Sequence, residues 1–299
     1  MKENYGIIDI GSNTMRLAVY RCEDGKASPL INKKEMVGLA GYIEDNKLTK
    51  EGIERACITL NNFKDIIESV NIDELQPIAT ASLRNIDNTD EALYIIKEKT
   101  GFDIEVLSGV EEGICDFVGA THDQDIDDGL LVDIGGGSTE IVIFKGKEIE
   151  KVFSMPIGSL NFYSKYVSKL IPKNNAREKM KAKVISELNK IEGIQGRSFK
   201  NMCGVGGSIR ATLKLNNAVF TKLDCTEIDV NNINKLLYRF KRGTKENLEV
   251  ILKICPDRIH TIIPGMIIID TICKYFDIET IHVSNCGVRE GYLYRHILK

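Results

Sequence analysis

The feature that most constrains this chain is a nine-residue pattern that occurs twice. Asp9-Ile10-Gly11-Ser12-Asn13-Thr14-Met15-Arg16-Leu17 lies without a gap on Asp133-Ile134-Gly135-Gly136-Gly137-Ser138-Thr139-Glu140-Ile141. Asp falls on Asp, Ile on Ile and Gly on Gly, Thr14 meets Ser138, and apolar runs flank each copy. Two apolar β-type runs joined by small residues read as a hairpin. Glycine lets the backbone reach positive φ and turn several N–H groups toward one anion, and Ser138 and Thr139 add hydroxyl donors. Such a turn suits phosphate. Asp133 at its mouth offers a carboxylate to a cation bridging phosphate oxygens, which points to Mg²⁺. Two such hairpins predict an α/β fold made of two duplicated lobes.

At 299 residues and 43% hydrophobic content the chain can bury two cores. Its start, Met1-Lys2-Glu3-Asn4-Tyr5, is not a signal sequence, and no apolar run reaches membrane-spanning length, so the expectation is a cytoplasmic enzyme with no membrane partner. The eight cysteines form no C-x-x-C pair, which argues against a zinc site and a secreted disulfide framework. A net charge of −3 argues against general nucleic-acid binding. The charge is uneven, however: Lys145 to Lys200 holds thirteen Lys or Arg against five Glu. Lys179, Lys181 and Lys183 there read either as the solvated face of a helix or as a track for a polyanion.

Along the chain, a third strand is expected near Ser28 to Glu35, then an amphipathic helix from an N-cap at Thr49 through Val70. Pro77 to Thr80 reads as a short strand running into Ala81-Ser82-Leu83-Arg84, followed by a helix near Asp90 to Lys99. Arg84 lies just past a strand end, where α/β folds place ligand groups, although from sequence alone a surface arginine is the commoner reading. After a strand at Ile104 to Leu107, Ser108 and Glu111 have the spacing of a capping box, which gives Glu111 a structural role. Glu112, rotated by about 100°, is left over. It reads as a base that activates water or as an acid favoured by the helix dipole. The acidic run 123–129 fails the calcium-loop pattern at Asp128 and Ile134 and reads as a connector between lobes.

Beyond the second hairpin, helices are expected near Leu160 to Leu170 and Ala176 to Ile191. A third glycine turn, Gly204-Val205-Gly206-Gly207-Ser208, leads from a strand into a helix and suggests another backbone contact with a ligand or a hairpin. Asp229 and Thr244 read as N-caps, Pro264 as the first residue of an apolar helix, and Ile281 to Ser284 as a last strand. The terminal helix, Val288 to Leu298, is expected to pack on the first lobe.

Paired phosphate hairpins of this kind resemble the actin, sugar-kinase and Hsp70 superfamily, in which two duplicated actin-like domains enclose a central cleft. The motifs Asp9 to Thr14, Ala79-Thr80-Ala81 with Arg84, Ser108-Gly109-x-Glu111-Glu112, Asp133 to Glu140, Ser154-x-Pro156-x-Gly158, Gly204 to Arg210 and Ser284 to Gly291 together resemble the exopolyphosphatase / guanosine pentaphosphate phosphohydrolase family in its short two-domain form. Two departures are Arg258-Ile259-His260 and Ser284-Asn285-Cys286, where the family often has Arg-Ala-Asp and Ser-Asp-Gly. The resemblance implies a first lobe at 1–124, joined by the helix at 287–299, and a second at 125–286.

It further implies that Glu112 activates the attacking water, that Arg84 contacts substrate phosphates, and that Asp133 helps hold Mg²⁺. Asp9 and Glu140 are the further metal candidates. The expected phosphate cradle comprises Gly11, Ser12, Asn13, Thr14, Gly135, Gly136, Gly137, Ser138, Gly206 and Gly207. The implied activity is hydrolysis of the terminal phosphoanhydride of inorganic polyphosphate, with guanosine pentaphosphate as a further substrate. A monovalent-cation requirement and a homodimer are left open. The alternatives are an ATP-dependent kinase of the same superfold and a non-catalytic phosphate or alarmone sensor.

Overall fold

A computed structural model describes residues 3–122, 128–221 and 224–298. The chain forms two compact units, Met1–Glu112 with Tyr292–Lys299, and Gly113–Gly291. The acidic stretch expected as a connector falls at 123–127 outside the described residues.

In the first unit, β1 (Glu3–Ile10), β2 (Thr14–Glu23) and β3 (Lys26–Met36) form a meander, followed by a small ribbon of β4 (Ile43–Glu44) and β5 (Lys47–Leu48). Helix α1 (Lys50–Glu68) starts at Thr49, whose hydroxyl accepts from Gly52 N at 3.2 Å. Its Ile53, Cys57, Leu60 and Phe63 recur at helical spacing and pack on Ile8, Ile10, Leu17 and Val19 of the sheet. Each such side chain contributes roughly 1.5–3 kcal/mol by burial, so Leu60→Ala would be costly. Next come β6 (Glu74–Ala79), α2 (Ala81–Arg84), α3 (Thr89–Thr100) and β7 (Glu105–Val106). The strand expected at 77–80 therefore stops at Ala79. Leu83 N and Arg84 N both bond back to Thr80 O, which winds the motif into one helical turn. Sheet order is β3-β2-β1-β6-β7, with β1, β6 and β7 parallel.

Helix α4 (Gly109–Thr121) begins in the first unit and continues in the second. The contact division thus falls inside a helix, because Gly119 and Gly291 lie against Gly287 and Cys115 backbone with no room for a Cβ and tie most of α4 to the second unit. That unit carries β8 (Gly129–Ile134), β9 (Thr139–Lys145), β10 (Glu148–Met155), α5 (Ser159–Tyr166), α6 (Asn174–Leu188), β11 (Asn201–Val205), α7 (Gly206–Asn216), β12 (Glu227–Asp229), α8 (Val230–Arg239), α9 (Lys245–Ile254), α10 (Ile262–Tyr275), β13 (Thr280–Val283) and α11 (Val288–Tyr292). Its sheet runs β10-β9-β8-β11-β13-β12, again a meander followed by parallel strands β11 and β13, with β12 antiparallel at the edge. The repeated order is the duplicated actin-like α/β architecture.

Alternation in the second sheet separates two layers. Leu130, Val132, Ile134, Ile141 and Ile143 join the larger core with Met180, Val184, Ile209 and Ile267. Leu131, Val142 and Phe144 face α4, where Phe117 and Phe144 rings lie 5.1 Å apart. Asp133 and Glu140, in phase with Leu131 and Val142, therefore sit on the α4 face.

Asp229 and Thr244 are N-caps, accepting from Asn231 N at 2.9 Å and Asn247 N at 3.4 Å. Pro264 is instead the third residue of α10, still within the first turn, where a missing N–H costs nothing. Residues after α11 continue as a wider helical turn, Leu293–Ile297, and belong to the first unit.

Candidate active site

Both hairpin turns are built the same way. Gly11 N bonds Thr14 O at 3.0 Å, and Gly135 N bonds Ser138 O at 3.0 Å. In the first, the carbonyls of Ser12 and Asn13 accept from Ala40 N and Gly38 N, each at 3.0 Å. In the second, Gly135 O and Gly136 O accept from Ser159, Leu160 and Asn161 N–H groups at the start of α5, and Gly137 O accepts from Asn161 Nδ2 at 3.0 Å. A Cβ on Gly158 would stand 2.2 Å from Gly136 O, so only glycine lets α5 approach this closely.

With the carbonyls drawn to one side, the amides point to the other. The N–H groups of Ser12 and Asn13, and of Gly136, Gly137 and Ser138, have no acceptor among the described residues. Asn13 Nδ2 is also buried without a partner. Backbone and side-chain donors left open in a glycine turn are the chemistry of an anion cradle.

Arg84 and Glu112, singled out separately in the sequence, form an ion pair in the first unit. Arg84 Nη1 stands 2.7 Å from Glu112 Oε2 and 3.0 Å from Leu107 O, and the two side chains are only 15% and 8% exposed. Arg84 is thus not a surface arginine. Ser82 sets it in place by donating to Ile10 O at 2.5 Å, which pins α2 to the end of β1 beside the hairpin. Glu111 N donates to the Ser108 hydroxyl at 3.1 Å, the cap expected from the sequence. The Glu111 carboxylate has a further use that local spacing did not show: Oε1 accepts from Arg295 Nε at 2.9 Å and lies 2.8 Å from His296 Nε2. Burial alone would raise the Glu111 pKa, but these two partners bring it below its ordinary value.

The hairpins differ in charge. Asp9 stands opposite Arg16 in the β1–β2 register, whereas Asp133 stands opposite Glu140 in β8–β9. Carboxylate oxygens of Asp133 and Glu140 lie within 4.8 Å of one another, and Glu140 is wholly buried with Ser154 Oγ on Oε1 at 2.8 Å. Two acids facing each other across a ladder are destabilising unless a cation or proton lies between them. An oxygen donor set of this kind fits Mg²⁺. Asp9 has a basic residue rather than an acid opposite it in its register.

The third glycine turn packs directly on Asp133. Gly206 has φ +86°, and a Cβ there would stand 1.8 Å from Asp133 Oδ1. Gly207 lies under the Arg258 guanidinium, with 2.1 Å left for a Cβ. Burial pushes the Arg210 and Arg258 pKa values down, while the negative charge of Asp133 acts in the opposite direction on both. The departure at 258–260 thus keeps its arginine on the turn, and His260 is exposed and stacks on Tyr163 at 4.9 Å. Ser284 O accepts from Arg210 at 3.3 Å. In the basic segment, Lys181 and Lys183 pair with Glu178 and Glu187, the pattern of a solvated helix face.

A repeated sheet order with a glycine hairpin heading each copy defines a protein of the actin-like α/β class. The chain belongs to the Ppx/GppA phosphatase family, whose sequence pattern matches residues 18–299. It is 30% identical over 297 residues to a bifunctional 3-dehydroquinate synthase/phosphatase of Fusobacterium nucleatum, covering 93% of this chain but only 44% of that longer protein. Its fold is similar to a crystal structure of an exopolyphosphatase from Cytophaga hutchinsonii, with TM-score 0.87 at 24% identity over 98% of this chain and 97% of that one. The Aquifex aeolicus PPX-GPPA enzyme superposes with TM-score 0.79 at 26% identity, covering 98% and 99% of the two chains. No helix among the described residues is long and apolar enough to cross a membrane.

Proposed function

We propose that this protein is an exopolyphosphatase that hydrolyses the terminal phosphoanhydride of inorganic polyphosphate and releases orthophosphate, with guanosine pentaphosphate as a second substrate carrying the same bond. The observation that carries this reading is the buried Arg84–Glu112 pair beside an amide-lined hairpin. A carboxylate held this way can take the proton of a water as its oxygen attacks the terminal phosphorus. The bridging P–O bond breaks, and the shortened chain leaves with the electron pair. Arg84 has a fork of donors that can serve Glu112 and a phosphate oxygen together.

In the first unit the open amides of Ser12 and Asn13, and in the second unit those of Gly136, Gly137 and Ser138, can each stabilise phosphoryl oxygens without reorganising during the reaction. Asp133 and Glu140 would hold Mg²⁺, which would neutralise part of the phosphate charge when bound. Arg210 and Arg258 keep positive charge behind Asp133.

The test is phosphate release from long polyphosphate, tripolyphosphate, guanosine pentaphosphate and ATP, each with and without Mg²⁺. Mg²⁺-dependent release from polyphosphate is expected. Transfer from ATP to a sugar or acetate, with polyphosphate untouched, would overturn the reading in favour of a kinase.

A further inference from the structure

The carboxylate beside the candidate base has more partners than a helix start needs. Ser108 already caps α4 through its hydroxyl, and Glu112 N closes the first bond of the helix on Ser108 O at 2.9 Å. Beyond that cap, Glu111 turns its Oε1 to two side chains from the far end of the chain, Arg295 Nε at 2.9 Å and His296 Nε2 at 2.8 Å. A carboxylate oxygen only accepts, so Nε2 is the ring nitrogen that carries the proton. Hydrogen bonds to an ionised oxygen are the strong ones.

The segment that delivers both partners is anchored on the same strand. Tyr292 donates its hydroxyl to Glu105 Oε2 in β7 at 2.6 Å, and its ring stacks on that of His296 with centroids 4.5 Å apart. Past β7, Leu107 N bonds Ala79 O at 2.9 Å, and Leu107 O accepts from Arg84 Nη1 at 3.0 Å. The run 105–112 is therefore fixed from two sides. Arg84 and the end of β6 hold the side that carries Glu112, while Tyr292, Arg295 and His296 hold the side that carries Glu111. Consecutive residues of a helix point about 100° apart, so the two ties grip different faces of one turn. With one tie cut, the turn can rotate about the other, because helix ends fray where nothing holds them.

We propose that Arg295 and His296 are positioning residues for Glu112: through Glu111 they hold the first turn of α4 at the rotation where the Glu112 carboxylate meets both Arg84 and the water it activates. This inference rests on the proposed hydrolysis. The side-chain hydrogen bonds of both residues go to Glu111 and not to the amide-bearing turns, so the step they serve is proton removal rather than phosphate binding. Catalytic groups must be held within about 0.5 Å of the productive geometry, and a misplacement of about 1 Å can cost 10²-fold.

Steady-state phosphate release from tripolyphosphate tests it, at a temperature where circular dichroism shows every variant folded. Arg295 and His296 leave 41% and 31% of their side chains exposed, so their removal opens no core cavity. Arg295→Ala and His296→Ala are expected to lower kcat by about three- to tenfold and to keep KM within about twofold. His296→Gln, which carries an amide donor at the reach of Nε2, should restore most of the loss. Glu111→Ala keeps the backbone N–H that Ser108 caps, and adding Arg295→Ala to it should cost nothing more, because the path through Glu111 is already cut. If both alanine variants keep the wild-type kcat while Tm falls, the contacts are a staple only and the proposal is overturned. A further loss in the double variant, or a rise in KM as large as the fall in kcat, overturns it as well. Failure of the proposed function looks different: the wild-type chain itself then releases no phosphate, and the proposal falls with it.

Discussion

The two hairpins share a backbone and differ in one ladder position. Asp9 and Asp133 occupy equivalent places, but the residue across from them is Arg16 in one and Glu140 in the other. The first hairpin sets a basic residue opposite its acid in the ladder, while the second sets two carboxylates within 4.8 Å of each other. Both copies keep the open amides, and one opposed residue sets them apart in charge. The first unit adds the Arg84–Glu112 pair, and the second adds the opposed acids Asp133 and Glu140.

The largest effect is expected where the first unit's chemistry is removed. Glu112→Gln keeps the volume and loses the basicity, so turnover should fall by roughly 10²- to 10⁴-fold with folding intact. Glu111→Gln disturbs the Arg295 and His296 contacts but should retain far more activity; the reverse ranking in a phosphate-release assay would mean the wrong carboxylate was assigned.

Next, Asp133→Asn and Glu140→Gln should each raise the Mg²⁺ concentration needed for half-maximal activity by at least about tenfold. Asp9→Asn should leave it nearly unchanged. Equal shifts in all three would erase the distinction between the hairpins.

Arg16→Glu makes the first hairpin an acidic copy of the second. With no metal present it should lower stability by about 0.2–1 kcal/mol, a drop in Tm of roughly 0.4–4 °C by calorimetry. Partial recovery with added Mg²⁺ would show that the opposed residue alone creates the cation site; no change at all would show that Asp9 does not sense Arg16.

The smallest effect concerns pH. The folded Glu111 pKa lies below its ordinary value of 4.5, so its contribution to stability is present above that value and is lost as pH falls through the lowered one. Urea unfolding between neutral and acid pH should show this loss, and Glu111→Gln should flatten that part of the profile.

Local chemistry made much of this legible. Hairpins, caps at Thr49, Asp229 and Thr244, and the α/β duplication all rest on residues close in sequence. What escaped is long-range. Arg84 and Glu112 were nominated by different motifs, and nothing in their spacing shows that they touch. The second use of Glu111 depends on Arg295, 184 residues away. The Arg16–Glu140 contrast was in plain view in the aligned repeats, but strand register is what turns two unlike residues into opposed partners. Pro264 was misplaced because proline is tolerated throughout a first helical turn.

Residues Tyr292–Lys299 belong to the same compact unit as Met1–Glu112, although the whole second unit lies between them in the chain. On the ribosome, the first unit's amino-terminal portion must therefore wait for some 180 further residues, roughly 10–40 s at ordinary elongation rates, before Arg295 and His296 can reach Glu111. Until then the helix start that carries Glu112 lacks those partners. A nascent chain halted before Tyr292 would carry every hairpin residue and still lack the ties that Arg295 and His296 make to Glu111, beside its candidate base.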